Sequence, residues 1–470
     1  MLKNNNNEYL DTVIIGSGLS ALNFIDEYAK KKKIDVISPN FSHKLIKGKD
    51  EEIQFLPSQM YNKKIKAKNY FLANKIKKSK KCKALGSLNF GGLSNYWGLQ
   101  IDSFINIKNQ KLKKKTSKKI YSCFLELLKK YKLIGKFQYK NKIYKNEFDI
   151  PSPLENLLKK QYNKFTVIRP IIAFSRKLKK NKINEIKEDK DKLNSLNFFK
   201  ASGLKKKIKF HNYYVEEIQK YGNKIKLVCK NNNETKIFFV KKIVLAAGTI
   251  VTTKILMNYL KIKKEVNLMH HPRLVSVFLG RKKIDTNLKF TPSLLQIVDK
   301  EKEFFFSADL RPGNSDITNS IISLSKIIYP LKFLINFFKK RLIFSNILLN
   351  SKFSDIYLKQ DGNKFLIYTK KNNVHKILKK TNSKIFSFLL KQNIIFPFFK
   401  THFPGTGSDF HYFGTIPMNG KTKLSVNENC QLKNNKNIYV VDSSVFNFKI
   451  NKYPLGIVMA NARRIGKLLS

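Results

Sequence analysis

Arginine is scarce in this chain of 470 residues. Eight of its 93 basic residues are Arg and the other 85 are Lys, spread from end to end, and with 32 acidic residues they give a formal net charge of +61. Proteins that read bases or clamp phosphates favour Arg, because its planar guanidinium donates hydrogen bonds in pairs. The charge is therefore interpreted as a compositional bias, and no specific nucleic-acid partner is expected. Such a field still attracts anionic substrates and anionic membrane surfaces, most strongly at low salt.

Closely spaced cysteines are absent. Cys82, Cys123, Cys229 and Cys430 lie far apart, with no CxxC pair. This spacing is typical of a reducing compartment and argues against a disulfide framework and a structural zinc. The His and acidic residues are not spaced as a coordination set either, so no metal site is expected.

Long apolar runs are missing as well. No stretch reaches about 18 apolar residues without a charge, so no membrane span is predicted. The polar N-terminus leads directly into a strand pattern, so no signal peptide is expected and the predicted location is cytoplasmic. The nearest apolar stretch, Ile327 to Phe338, is interrupted by Lys332 and followed by Lys and Arg. Core burial is its favoured interpretation, and peripheral contact with the anionic inner face of a membrane is the alternative.

A glycine turn joins a strand to a helix near the N-terminus. An apolar strand pattern over residues 12–15 precedes Gly16 and Gly18, and a helical pattern follows. Gly16 permits a tight turn, and Gly18 lets the backbone approach a pyrophosphate. The N–H groups that begin the helix, at Leu19 and Ser20, favour an anion. The segment predicts a dinucleotide site, with an ordinary strand–helix turn as the alternative.

The second strand ends without the expected acid. The dinucleotide fingerprint places a ribose-binding Asp or Glu about 20 residues after the glycine turn. Here that strand ends in Val36-Ile37-Ser38, so Ser38 occupies the acidic position and Asp35 lies earlier in the strand. Ser38 can bond a ribose hydroxyl, but more weakly than a carboxylate.

Several distant segments carry patterns that suit the same ligand. Paired glycines beside Ser and Asn in residues 91–98 (GGLSNYWG) suit a backbone that passes close to a ligand. A buried strand pattern ends in residues 244–249 (VLAAGT), and the C-terminal part contains residues 411–418 (HYFGTIPM) and 438–446 (IYVVDSSVF). Residues 105–205 between them are Lys-rich and mostly helical in pattern. The scattering favours a discontinuous cofactor domain with an inserted substrate domain.

In order and spacing these segments resemble the glucose-methanol-choline (GMC) family of flavin oxidoreductases. In that family a His-x-x-Gly-Thr segment precedes a Val-Asp-x-Ser-Val-Phe segment, and an Asn-Pro follows. Residues 411–415 and 441–446 match the first two, and residues 267–272 (NLMHHP) are similar to the family's Asn-Leu-Met-Asp-His-Pro turn. The resemblance makes His270 and His271 structural. It thins over 105–205 and 275–400, where the family builds its substrate site.

The resemblance implies FAD as the cofactor and oxidation of a CH–OH donor. It implies that the helix start holds the diphosphate, that Val215 gives backbone contact to the adenine, and that Asp442 and Ser443 lie at the ribityl chain and diphosphate. The carried-over cofactor contacts are Gly16, Gly18, Leu19, Ser20, Ser38, Gly91, Gly92, Ser94, Asn95, Val215, Gly248, Asp442 and Ser443. His411 matches the active-site His near the flavin.

The acid–base residues follow from the same alignment of motifs. Histidine has a pKa near 6.5, so a neutral His411 can take the hydroxyl proton of an alcohol. The family's second active-site residue is Asn or His before the Pro, and this chain has Tyr453 before Pro454. Tyr453 could donate a hydrogen bond to a substrate oxygen. Asn451 and His402 are the alternatives, and a packing role for Tyr453 is a further one.

The predicted fold class is α/β: a discontinuous Rossmann-like FAD-binding domain over residues 1–104, 205–275 and 401–470, with an inserted α+β substrate domain over 105–204 and 276–400. The predicted function is FAD-dependent oxidation of a small alcohol or sugar-like substrate. The electron acceptor is left open among oxygen, a quinone and a carrier protein. The alternatives are a flavoprotein isomerase or reductase without net alcohol oxidation, and a basic protein that binds anionic glycan or lipid and has a degenerate FAD site.

Overall fold

The computed structural model describes residues 8–29, 33–39, 67–95, 97–101, 112–131, 135–139, 142–146, 152–173, 193–231, 234–284, 293–299, 306–313, 338–362, 364–447 and 453–470. Its helices are α1 (Leu19–Tyr28), α2 (Ala67–Ala73), α3 (Lys114–Tyr131), α4 (Ser152–Lys159), α5 (Ser195–Ala201), α6 (Thr249–Tyr259), α7 (Val374–Lys391) and α8 (Leu455–Leu469).

The strands are short, and most lie in three sheets. They are β1 (Glu8–Ile15), β2 (Ile34–Ile37), β3 (Ile76–Lys78), β4 (Gln100–Ile101), β5 (Gly135–Tyr139), β6 (Lys142–Asn146), β7 (Phe165–Ile168), β8 (Ile171–Ile172), β9 (Ile208–His211), β10 (Tyr214–Tyr221), β11 (Lys224–Lys230), β12 (Thr235–Leu245), β13 (Val266–Leu268), β14 (Arg273–Gly280), β15 (Leu295–Asp299), β16 (Phe306–Pro312), β17 (Leu342–Leu349), β18 (Ile356–Asp361), β19 (Lys364–Thr369), β20 (Ile395–His402), β21 (Gln431–Leu432) and β22 (Asn435–Val440).

A mostly parallel sheet forms around the N-terminal strand. Strands β22, β12, β1, β2 and β9 run parallel in that order, and the long β12 also pairs antiparallel with β11, which pairs with β10. The second half of β1, residues 12–15, is wholly buried, as expected of a strand covered on both faces. Helix α1 packs against α8, and α8 against α3. The apolar side chains of α3, among them Ile120, Phe124 and Leu127, recur at helical spacing on its buried face.

The second large sheet is antiparallel throughout. Its order is β20-β14-β17-β16-β15-β7, and α7 packs on β14, β17 and β20. The apolar side chains of these elements and of α4 form a core of their own, separate from the core around the parallel sheet. A four-stranded sheet, β13-β18-β19-β3, and two antiparallel pairs, β4-β8 and the hairpin β5-β6, complete the pairing of the described strands.

The architecture follows the predicted α/β class, with separated segments in the parallel sheet and an antiparallel sheet built from the intervening chain. The described residues of the interval 105–204 contain β5 to β8 besides three helices, and the pattern predicts no such strands. These strands have two to five residues, too few to show a period of two against a Lys-rich background. The domain limits at residues 104, 204, 275 and 400 stay a prediction.

Other features concern the surface and the thiols. None of the helices in the described ranges is long and apolar enough to cross a membrane. The stretch 327–338 lies outside the described residues apart from Phe338, so its membrane-surface interpretation stays a prediction. All four cysteines are buried free thiols.

Candidate active site

The glycine turn after β1 is shaped by its contact with β12. Gly16 has a φ of +114°, and its N–H donates to the carbonyl of Ile37 at 2.9 Å. A Cβ on Gly16 would lie 2.3 Å from the carbonyl oxygen of Ala246, at the end of β12. Helix α1 then begins after Gly18, which occupies the N-cap position and has no side chain to cap the helix. The first N–H groups of α1 thus lie at the edge of the sheet where β1, β2 and β12 end together.

Ser38 lies at the end of β2 and is 2% exposed. Its hydroxyl is 2.7 Å from that of Ser17, which also accepts a hydrogen bond from the N–H of Gly91 at 2.9 Å. These bonds join the glycine turn to the 91–95 segment. Asp35 does not reach this place, because its carboxylate is 2.8 Å from Nε2 of His211 on β9.

The segment after residue 86 returns to the same edge. Gly91 and Gly92 have φ values of +84° and +54°, and a 3-10 turn follows over Gly92–Asn95. The Ser94 hydroxyl donates to the carbonyl of Gly91. The Asn95 side chain bonds within its own segment, because its amide donates to the carbonyl of Phe90.

Asp442 ties the start of α6 to the turn that follows β22. Its Oδ2 accepts hydrogen bonds from the N–H of Gly248 at 3.1 Å and from the hydroxyl of Thr252 at 2.5 Å. Its Oδ1 accepts from the N–H and the hydroxyl of Ser444. Burial raises the pKa of Asp442, and the bonds from Ser444 and Thr252 oppose that rise. The Ser443 hydroxyl bonds the carbonyl of Tyr412 at 2.8 Å, which connects the same turn to the segment that carries His411.

His411 lies on a loop whose backbone is unusual. Phe410 before it has a φ of +64°, and Gly414 after it has a φ of +77°. The His411 ring is edge-on to the rings of Tyr453 and His271, at centroid distances of 4.8 Å and 5.6 Å. Its Nδ1 is 3.9 Å from Oδ2 of Asp409, beyond hydrogen-bond range.

The electrostatic surroundings of His411 keep its ring neutral. Burial lowers the pKa of His411 to about 3; Asp409 opposes this change, and His271, Arg273 and His270 add to it. A neutral imidazole is the form that can accept a proton.

Tyr453 faces His411 on one side and the antiparallel sheet on the other. Its hydroxyl donates to Oδ2 of Asp309 on β16 and lies 3.4 Å from the amide of Asn346 on β17. Asp309 is fully buried and also accepts from the amide of Gln296 on β15 at 3.2 Å. Burial raises the pKa of Asp309, and the guanidinium of Arg311, 3.8 Å away, opposes that rise. Since a phenol has one proton, Tyr453 cannot donate it to Asp309 and to a substrate oxygen at once.

One cavity is lined by these separated segments. Of the residues selected from the sequence, it is lined by Gly16, Gly18, Leu19, Ser20, Ser38, Gly91, Gly92, Ser94, Val215, Gly248, His411, Asp442, Ser443 and Tyr453. Asn95 is not among its lining residues. His402 lies on β20, opposite Val275, and does not line the cavity; Asn451 lies outside the described residues.

Some further lining residues could not be predicted from the sequence. They include Tyr70, Asn74, Gln100 and Tyr213, which lie in no motif. Tyr70 packs against Gly86, where a Cβ would meet its ring at 2.1 Å. The described residues contain no group of three or more His, Cys, Asp or Glu placed to hold a metal ion.

The comparisons with known proteins concern the fold. No protein-family model matches the chain, and no curated protein matches it in sequence. Among solved structures, the chain is similar to pyridoxine 4-oxidase from Mesorbium loti, with a TM-score of 0.56 over 98% of this chain and 99% of that one, at 12% identity. The likeness spans the whole length of both chains, and it confirms the predicted fold class: a discontinuous Rossmann-like α/β domain with an inserted α+β domain.

Proposed function

We propose that this protein is an FAD-dependent oxidoreductase that oxidises a CH–OH group of a small alcohol or sugar-like substrate. The observation that carries the proposal is the single cavity lined by the glycine turn, Gly91, Gly248, His411 and Tyr453. These residues come from distant parts of the chain, and each was selected from the sequence as a dinucleotide contact, as the general base (His411) or as a hydrogen-bond donor to the substrate (Tyr453). The fold shared with a pyridoxine 4-oxidase supports the same class of reaction.

The backbone of the cavity fits a dinucleotide. Gly248 has a φ of +83°, and a Cβ placed on it would meet no atom within 4 Å. A Cβ on Gly18 would find only the carbonyl oxygen of Gly91, at 3.8 Å. The N-terminus of α1 lies beside this open space without a side-chain cap, and such a helix end favours a diphosphate. FAD held there would supply the hydride acceptor.

Val215 would contact the adenine. It is buried on β10, lines the cavity and lies at an irregularity in the pairing with β11. Tyr213 and Asn74 also line the cavity. Ser38 would bond the ribose through a hydroxyl that Ser17 already orients. This contact replaces the acidic one of the usual fingerprint.

His411 would act as the general base. In the described surroundings its ring is neutral at physiological pH, and the alcohol proton would pass to it as the carbon loses a hydride. The resulting imidazolium would form 3.9 Å from the Asp409 carboxylate. Because Asp409 opposes the fall in the pKa of His411, its charge makes proton uptake less costly.

Tyr453 would orient the substrate as an acceptor. Its own proton is donated to Asp309, so a lone pair of Oη is what it offers to a substrate hydroxyl. Asp309 belongs to the antiparallel sheet, and the orientation of Tyr453 therefore depends on that sheet. This role differs from the donor role that the sequence suggests for a Tyr in this position.

The first test is the visible spectrum of the purified protein. Flavin absorbance after purification, or after reconstitution with FAD, is expected. A colourless protein after both treatments would remove the proposal and its flavin-isomerase alternative together, and would favour the basic binding protein with a degenerate site.

The second test is anaerobic mixing of the yellow protein with a panel of sugars and primary alcohols. Pyridoxine is included because the solved protein of similar fold is a pyridoxine 4-oxidase. Bleaching by one member of the panel is expected. A stable yellow spectrum with every donor would favour a flavoprotein that does not oxidise alcohols. Reoxidation of the bleached protein by oxygen, a quinone or a carrier protein then identifies the electron acceptor.

A further inference from the structure

His270 is fully buried and lies between two carboxylates. Its Nδ1 is 3.0 Å from Oδ1 of Asp409, and its Nε2 is 2.9 Å from Oδ1 of Asp355. A carboxylate can only accept a hydrogen bond, so both ring nitrogens must donate. The ring of His270 is therefore an imidazolium, in contact with a negative charge at each end.

The balance of burial and charge agrees with that state. Burial alone would lower the pKa of His270, but the charges and hydrogen bonds of Asp409 and Asp355 raise it to about 9. The same contacts lower the pKa of Asp409 to about 2, against the effect of burial. A buried imidazolium between two buried carboxylates is stable only when all three groups are hydrogen-bonded.

The second oxygen of Asp409 holds the backbone beside the proposed base. Its Oδ2 accepts from the N–H of His271 at 2.8 Å and from the N–H of His411 at 3.3 Å. It is also the oxygen that lies 3.9 Å from the His411 ring. Any rotation of the Asp409 carboxylate would therefore move a charge beside the His411 ring and the hydrogen bonds from the N–H groups of His271 and His411. His270 bonds the other oxygen and prevents that rotation.

The second carboxylate oxygen of Asp355, Oδ2, contacts the segment that leads to His411. It accepts from the hydroxyl of Thr406 at 3.3 Å, and Thr406 forms an isolated bridge with Cys82. Between Thr406 and His411 the chain includes Gly407 and Phe410, with φ values of +83° and +64°. Residues 405–411 lie outside any helix or strand, so side-chain contacts contribute to their path beside the bridge at Thr406.

We infer that His270 is a positioning residue, which as an imidazolium clamped by Asp355 and Asp409 fixes residues 405–411 and thereby His411. The family turn that residues 267–272 resemble does not provide this clamp, because it has Asp at the position of His270. An Asp at this position would place a third carboxylate beside those of Asp355 and Asp409. The statement about His411 rests on the proposed function, whereas the clamp itself does not.

The charge state of His270 is tested on the wild-type protein. Ring ¹⁵N chemical shifts are followed by NMR from pH 6 to 10, with the signals assigned by single His substitutions. The groups whose charges face this ring are Asp409 and Asp355, and His411 also interacts with it. His270 is expected to stay doubly protonated at pH 7.5 and to lose a proton near pH 9. A neutral His270 ring at pH 7.5 would overturn the inference.

The positioning role is tested by two matched variants, Asp409→Asn and Asp355→Asn. Each replaces one carboxylate of the clamp by an amide, with the same change in charge and size. Both are expected to lower the pH at which His270 titrates. Asp409→Asn should also shift the NMR signals of the His411 ring and lower kcat for flavin reduction by about tenfold or more, with KM little changed. Asp355→Asn should lower kcat by a clearly smaller factor.

His375→Gln is the control for loss of a histidine, since His375 is exposed on α7. It should leave the flavin spectrum, the His411 signals and kcat unchanged. Equal losses of kcat in Asp355→Asn and Asp409→Asn would show that the clamp is only structural and would overturn the positioning role. If no donor reduces the wild-type flavin, the proposed function fails, while the NMR titrations still decide the clamp.

Discussion

The parallel and the antiparallel sheet relate to the cavity in different ways. The parallel sheet lines the cavity with residues that follow its strands: Gly16 after β1, Ser38 after β2 and Gly248 after β12. The described residues of the antiparallel sheet do not line the cavity, and its side chains reach it through their contact with Tyr453. Asp309 on β16 is directly opposite Gln296 on β15 and Asn346 on β17, so the three form a polar row across the sheet.

This difference explains why the sequence predicts the residues that the parallel sheet places at the cavity but not the polar row of the antiparallel sheet. A backbone that approaches a ligand needs glycine at fixed offsets, and such offsets survive as a motif. A row across three strands joins residues that are distant along the chain, and each of them alone is an ordinary polar residue in a strand. The two kinds of contribution also predict different consequences of mutation.

The largest effect is expected for Gly16→Val, at the glycine turn. The new side chain would collide with the carbonyl of Ala246 and would be strained at a φ of +114°. A loss of stability of about 3 kcal/mol or more is expected, together with loss of bound FAD. Thermal unfolding and flavin content measure both.

The control for this change is Gly222→Ala in the turn between β10 and β11. Its φ is +53°, and a Cβ there would meet nothing within 4 Å, so a cost of only about 1 kcal/mol is expected. Equal damage in the two variants would mean that backbone conformation, and not the close approach of β1 to β12, accounts for the loss.

His411→Ala should retain the flavin and lose the chemistry. Removal of a general base lowers the rate by about 100-fold to 10,000-fold, and the cavity backbone that would hold FAD is unchanged. Stopped-flow reduction of the flavin by the active donor measures this rate, and the visible spectrum checks the cofactor. A reduction rate equal to that of the wild type would show that His411 is not the base.

Tyr453→Phe tests how much the contact between Tyr453 and the antiparallel sheet stabilises the fold. It leaves the Asp309 carboxylate buried without the Tyr453 hydroxyl, at a cost of about 1 to 3 kcal/mol in the free energy of unfolding. Asp309→Asn should relieve part of that cost, so the double variant should be less destabilised than the sum of the single ones. Additive effects in chemical denaturation would mean that Tyr453 is not coupled to the antiparallel sheet through this contact.

The smallest effect is a dependence of stability on pH through His270. Its pKa in the folded chain, about 9, lies above the ordinary value of 6.5. The stabilisation from its charged form is therefore complete below pH 6.5 and is lost as the pH rises through about 9. The difference in melting temperature between the wild type and His270→Gln should shrink across that interval. A difference that stays constant from pH 6 to 10 would contradict the charged state.

Some features of the site could be predicted only as residue types. His411 and Tyr453 were selected by motif, but the sequence suggested that Tyr453 donates to a substrate oxygen, whereas the structure shows its proton donated to Asp309. Asn95 was selected with its neighbours in residues 91–98, and its amide instead bonds the carbonyl of Phe90. In both cases the motif identifies the position along the chain, and packing determines the direction of the side chain.

The sequence by itself determined the α/β fold class and the places where the backbone must come close to something. Those properties depend on local conformation: the φ values that only glycine adopts easily, the uncapped start of a helix and the apolar pattern of a buried strand. The tertiary structure alone decided the partners of the charged and polar side chains. Asp309 meets Tyr453 across 144 positions, and His270 meets Asp355 and Asp409 across 85 and 139. Contacts at such separations leave no periodicity in a single sequence, because each depends on the folded position of an entire sheet or loop.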